Sequence, residues 1–180
     1  MANPNDKQDT ARVFIALWPE PAVRHLLREW RDAWDWPRSA SRVRTERLHI
    51  TLHFLGNIER ERLPQIMDGL QVPFTPFELA FGHAELWPGG IAVLAPDAVP
   101  PAFPELHAAL GAALLQLGIE PEARKYKPHV TLARRAGGVS TPAQGPAVHW
   151  PITGYALMES KMGPDGGYTI LRAYPLDALT

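Results

Sequence analysis

One short pattern, histidine–aliphatic–threonine–leucine, occurs twice in this chain and constrains its fold more than any other feature. The copies are Leu48-His49-Ile50-Thr51-Leu52 and Pro128-His129-Val130-Thr131-Leu132. With 7 histidines and 9 threonines in 180 residues, chance predicts about 0.35 His-x-Thr triplets. Both copies lie in apolar, strand-like runs. Residues two apart in a strand share a face. His49 and Thr51 therefore project together while Ile50 and Leu52 turn inward, and His129 and Thr131 do the same opposite Val130 and Leu132. Two such strands side by side make a cleft lined by two imidazoles and two hydroxyls. By the same alternation His53 falls on the face of His49 and Thr51, at the outer end of its strand.

The rest of the chain supplies elements to carry those strands. Residues 12–18 read as a buried strand. Residues 21–34 begin with proline and place Val23, Leu26, Leu27 and Trp30 at helical spacing. The strand 48–56 is expected to stop at Gly56, followed by a helix with Leu63, Ile66, Met67 and Leu70 on one face. Residues 76–95 read as two or three strands around a turn at Trp87-Pro88-Gly89-Gly90, and 103–117 as a third helix. A strand over 128–135 precedes a Gly/Pro/Ser-rich loop over 136–147. Runs at about 152–161 and 167–174 flank Gly163-Pro164-Asp165-Gly166-Gly167 as a hairpin. The short turns call for antiparallel pairing. A strand–helix–strand unit ending in His-x-Thr recurs, so the expected architecture is an α+β domain of two similar lobes.

Composition narrows the chemistry. The length suits one domain over 1–180, with the polar residues 1–10 as a flexible end. There is no cysteine, which removes disulfides and thiolate chemistry and fits a reducing cytoplasm. No apolar run approaches the roughly 20 residues of a membrane span. A net charge of −1 argues against a surface that grips nucleic acid everywhere. The basic residues are nonetheless gathered beside the motifs: Arg38, Arg42, Arg44 and Arg47 before the first, Arg124, Lys125 and Lys127 before the second, Arg134 and Arg135 after it.

Two imidazoles and two hydroxyls suit a phosphodiester. One neutral imidazole takes a proton from water and the other, protonated, gives one to the departing alkoxide. The threonine hydroxyls donate to the non-bridging oxygens, where charge develops. No cofactor is required. The competing reading is a zinc site built from His49, His53 and His129. It lacks a carboxylate within either motif and leaves the threonines without a role. His25, His83, His107 and His149 have no companion motif and read as ordinary half-buried residues.

At these residues the sequence resembles the two-histidine phosphoesterase superfamily, specifically the LigT-like RNA 2′,3′-cyclic phosphodiesterases, also called 2′-5′ RNA ligases. The resemblance takes in RVFIALWP, LHITLHFLG, KPHVTLAR and the closing MES…GGYTILRAYPL. It implies two pseudo-symmetric lobes, each an antiparallel sheet with helices on its outer face, with the active-site cleft between them. It implies RNA ends or nucleotides bearing a 2′,3′-cyclic phosphate as substrate, a 2′-phosphate product, His49 as proton donor and His129 as acceptor. It also implies that Arg134 binds phosphate, although strict alternation would turn Arg134 away from His129 and Thr131. Tyr168 matches an aromatic position of the family's last strand, where a core role or base stacking is open. The alternatives are a small-nucleotide cyclic phosphodiesterase, 2′-5′ ligation, and a nucleotide- or RNA-binding module without catalysis. Nothing in the sequence points to an obligate protein partner.

Overall fold

The computed structural model describes residues 9–163 and 166–175. Ten strands and three helices follow in order: β1 (Thr10–Leu17), α1 (Pro21–Asp32), β2 (Ser41–Arg42), β3 (Ile50–Glu59), α2 (Leu63–Gly69), β4 (Phe77–Phe81), β5 (His83–Trp87), β6 (Ile91–Ala95), α3 (Ala102–Gln116), β7 (Val130–Arg134), β8 (Val148–Ile152), β9 (Gly154–Ser160) and β10 (Tyr168–Pro175). They form two four-stranded antiparallel sheets, β10-β9-β1-β3 and β2-β7-β6-β5, and a two-stranded ribbon, β4-β8.

The α+β class and the antiparallel sheets agree with the sequence. The lobes, however, are not successive segments of chain. The first sheet joins β1 and β3 to the C-terminal hairpin β9–β10, and the second takes β2 from the N-terminal part. The helices cross as well: α3 packs on β3, while α1 packs against β8 and donates from Arg31 to the Val43 carbonyl at 2.8 Å. Both sheets consequently bury their inner faces in one continuous core, with Ile15, Leu17, Leu27, Trp30, Ile50, Phe103, Leu110 and Leu132 within it.

Three expectations are corrected by the pairing. Thr10 already pairs with Glu59, so only residues 1–8 of the expected flexible end lie outside the described residues. Gly56 does not end its strand. It sits at φ 80°, opposite Val13, with Leu55 left as an extra residue in the ladder, and β3 continues to Glu59. Such a bulge uses glycine's left-handed conformation to bend a strand without terminating it. The segment before Ile152 includes a separate strand, β8, which pairs with β4 despite Pro151. Proline is tolerated there because, among the described residues, β8 pairs with β4 alone and its other side is an edge. The expected hairpin does form between β9 and β10, with Pro164 and Asp165 outside the described residues.

Candidate active site

Bulges decide what the motif strands present. In β3, Thr51 pairs with Ala16 and His53 with Ile15, leaving Leu52 as an extra residue. In β7, Thr131 pairs with Val93 and Ala133 with Ala92, leaving Leu132 as an extra residue. The same leucine of the two motifs is thus bulged. An extra residue inverts the alternation beyond it. Residues before the bulge behave as the sequence demands: Ile50, Leu52, Val130 and Leu132 are core, and His49, Thr51, His129 and Thr131 line one cavity of about 710 Å³. The motif strands belong to different sheets and approach each other without a shared ladder. The cleft therefore lies between the lobes, not on one sheet.

Past the bulge, three residues depart from strict alternation. His53 is turned toward α3, where it is 6% exposed and its Nε2 donates to the His107 carbonyl at 2.8 Å, and it lines the cavity from that side. Its ring stacks on that of His107 at 4.0 Å. It is therefore not a third partner for His49 and His129, and among the described residues no three histidines or carboxylates converge as a metal-ligand set. Arg134 is carried the other way, back to the face of His129 and Thr131, and lines the cavity. Phe54 follows the same course in β3.

The two histidines are held alike. His49 Nδ1 lies 2.6 Å from the Arg47 carbonyl, and His129 Nδ1 lies 2.8 Å from the Lys127 carbonyl. A carbonyl only accepts, so each Nδ1 carries the proton and each Nε2 is left to do chemistry. In both motifs the holding carbonyl is two residues back, a local device repeated with the motif. The His49 Nε2 and the Thr51 hydroxyl are 2.9 Å apart, so imidazole and hydroxyl address the same point. Tyr126 ties the lobes together by donating its hydroxyl to the Thr51 carbonyl at 2.7 Å.

The surroundings of the two rings differ. Phe14, Trp18 and Tyr168 surround His49, at centroid distances of 5.1, 5.9 and 5.3 Å. Phe14 and Ala16 reach this side because β1 is a central strand with two buried faces. Arg47 lies over Tyr168 at 5.3 Å, and its guanidinium donates to the Gly166 carbonyl. Tyr168 is thereby a wall of the cavity, neither a simple core residue nor a free stacking surface. His129 rests against Trp87 at 4.5 Å, with the Lys127 ammonium 4.6 Å from the same indole. Trp18 and Trp87 carry no sequence signal beyond being aromatic. Of the first basic cluster, Arg47 reaches the cavity; of the second, Arg124, Lys125 and Lys127 do. His25, His83 and His149 pair with surface carboxylates away from it.

Burial pushes His49 down to about 4; the Arg47 carbonyl opposes this, while the like charges of His129 and Arg24 add to it. Burial also lowers His129, opposed by the Lys127 carbonyl and reinforced by the cations of Arg134 and Lys127. An anion between the rings would reverse the coulombic part of both shifts.

Comparison with known proteins follows the same lines. A family model described as LigT like Phosphoesterase matches residues 17–92. The RNA 2′,3′-cyclic phosphodiesterase of Thermus thermophilus is 31% identical over 178 residues, covering 92% of this chain and 90% of that one. The protein of the same name from Escherichia coli is 27% identical over 153 residues, covering 83% and 86%. The crystal structure of E. coli LigT complexed with 3′-AMP has the same fold, with a TM-score of 0.83 over 93% of this chain and 98% of that chain at 24% identity.

Proposed function

This chain belongs to the LigT-like phosphoesterases, and on that premise we propose that it hydrolyses 2′,3′-cyclic phosphodiester ends of RNA by acid–base catalysis between His49 and His129. The observation that carries this reading is the paired Nδ1–carbonyl contact, which leaves two Nε2 atoms on opposite lobes of one cavity. In-line displacement at phosphorus needs a base beside the incoming oxygen and an acid beside the leaving one. His129 Nε2 takes a proton from water as the water oxygen bonds to phosphorus. The bond from phosphorus to O3′ breaks, and protonated His49 gives its Nε2 proton to O3′. The phosphate remains on O2′ as a monoester. Thr51 and Thr131 donate to the non-bridging oxygens, and Arg134 places a positive charge beside them. Direction is set by the family resemblance, since both histidines are held in the same way.

The test is direct. An oligonucleotide ending in a 2′,3′-cyclic phosphate should be converted completely to a monoester, and the activity should survive prolonged EDTA treatment. Loss of activity that zinc or manganese restores would replace this scheme with a metal-dependent one. No turnover despite tight binding would favour a non-catalytic module.

The electrostatics predict an unusual pH dependence. The productive form has one imidazole neutral and one charged, so kcat/KM is bell-shaped. Both histidines are lowered in the free protein. The singly protonated population therefore peaks on the acid side of the ordinary imidazole value of about 6.5. The bound anion raises both values, so the kcat profile should lie at higher pH than the kcat/KM profile. A rate rising monotonically into the alkaline range would contradict an acid that must stay protonated.

A further inference from the structure

We propose that Glu85 is a positioning residue for this reaction: standing outside the cavity, its carboxylate fixes Trp87 and Lys127, and through them the imidazole of His129. The role of His129 as base rests on the hydrolytic reading above. The contacts behind it do not depend on that reading.

The two histidine rings are secured unequally. His49 is enclosed by Phe14, Trp18 and Tyr168. His129, among the described residues, has one aromatic ring against it, that of Trp87 at 4.5 Å. The Nδ1 bond to the Lys127 carbonyl fixes one end of the imidazole. A ring held at one nitrogen can still tip about that bond. The Trp87 face limits the tipping, and the position of Lys127 sets where the bond points. Neither residue is held firmly by backbone. Trp87 ends β5, the edge strand of its sheet, at the turn into β6, and Lys127 precedes β7 outside any strand. Their side chains must supply the anchoring.

Glu85 receives both of them. Residues two apart in a strand share a face, so β5 presents His83, Glu85 and Trp87 together. Val93 is the direct partner of both Glu85 and Thr131, which puts that face on the cavity side of the sheet. One carboxylate oxygen accepts from the Trp87 indole N–H at 2.6 Å and from the Lys127 ammonium at 3.2 Å. The ammonium lies 4.6 Å from the Trp87 ring, so the three side chains hold one another. The other oxygen faces His83 Nε2 at 3.4 Å, and His83 Nδ1 is 2.7 Å from Asp97. The Trp87 hydrogen bond keeps the Glu85 carboxyl below its ordinary range; burial opposes this, while Lys127 and His83 add to it. Glu85 is thus an anion with both oxygens engaged, and charge-assisted bonds of this kind are the stronger ones.

The experiment measures kcat, KM and the imidazole nitrogen NMR shifts of His129 in the wild type, Glu85→Ala and Glu85→Gln. It also compares kcat of His129→Ala with and without Glu85→Ala. Glu85→Ala should lower kcat by roughly 10- to 100-fold, the scale of an ångström-sized misplacement of a reacting group. KM should change little, because Thr51, Thr131 and Arg134 are untouched. Glu85→Gln should recover part of the loss, since its amide oxygen still accepts from Trp87 but carries no charge for Lys127. Adding Glu85→Ala to His129→Ala should cost nothing further, because a residue that acts through another is not additive with it. The neutral wild-type imidazole should be a single Nδ1–H tautomer, and that of Glu85→Ala a mixture of two. Wild-type kcat in Glu85→Ala, a loss confined to KM, the same loss again in His129→Ala, or an unchanged His129 spectrum overturns the proposal. If Glu85→Ala does not fold, Glu85→Gln decides: reduced kcat at unchanged KM supports the proposal, and wild-type kcat overturns it. A wild type that opens no cyclic phosphate overturns the hydrolytic reading instead. The His129 spectra then decide on Glu85 by themselves, a mixture in the variant supporting its role and an unchanged tautomer overturning it.

Discussion

Alanine at His129 or at His49 is expected to lower turnover of a 2′,3′-cyclic phosphate substrate by about 10²–10⁴-fold, the usual contribution of one positioned acid or base. Each substitution removes a different proton transfer on the same phosphorus, so the double variant should be little worse than either single one. Groups that act as a unit are not additive. Thr51→Ala and Thr131→Ala should cost less, since each removes one donor among several. His49 is enclosed by Phe14, Trp18 and Tyr168, so His49→Gln provides a control that keeps more of the volume. Steady-state kinetics on protein of unchanged thermal midpoint decide the matter. Near-wild-type turnover in any of these histidine variants would remove that residue from the mechanism. Loss of the fold in His49→Ala but not in His49→Gln would leave the glutamine variant as the measurement that counts.

The second large effect concerns which bond breaks. Uncatalysed alkaline opening of a 2′,3′-cyclic phosphate gives both monoesters. In this cleft the imidazoles stand on opposite lobes, so a given pose puts one ribose oxygen beside the acid and leaves the other bonded to phosphorus. A single product is expected, with the phosphate on O2′. Chromatography or phosphorus NMR against authentic 2′- and 3′-monophosphates distinguishes the outcomes. A mixture would contradict the two-sided geometry. Pure 3′-phosphate would keep the geometry and reverse the orientation taken from the family resemblance.

What could be read from the sequence was local. The faces of His49 with Thr51 and of His129 with Thr131 follow from two-residue periodicity, and both threonines and both histidines do line one cavity. The inward turn of Ile50, Leu52, Val130 and Leu132 follows from the same rule. The antiparallel hairpins at Trp87–Gly90 and before Tyr168 follow from turn residues that act on their own neighbours.

What escaped the sequence was relational. A bulge exists only against a partner strand, and the partners of β3 and β7 are β1 and β6, chosen by the whole fold. That choice turned His53 toward α3, returned Arg134 to the face of His129 and Thr131 and exposed Phe54 on the cleft face. Counting residues could not have distinguished these fates, because one unpaired leucine reverses every assignment after it. The interlocking of the lobes is likewise tertiary. The first sheet is completed by strands about 100 residues downstream of β3, since each sheet must cover its apolar face with whatever helix the chain brings near. The two histidine–threonine pairs were thus written in two short stretches of sequence, while the cavity's walls, its electrostatics and the placement of Arg134 came from how strands distant in the chain were paired.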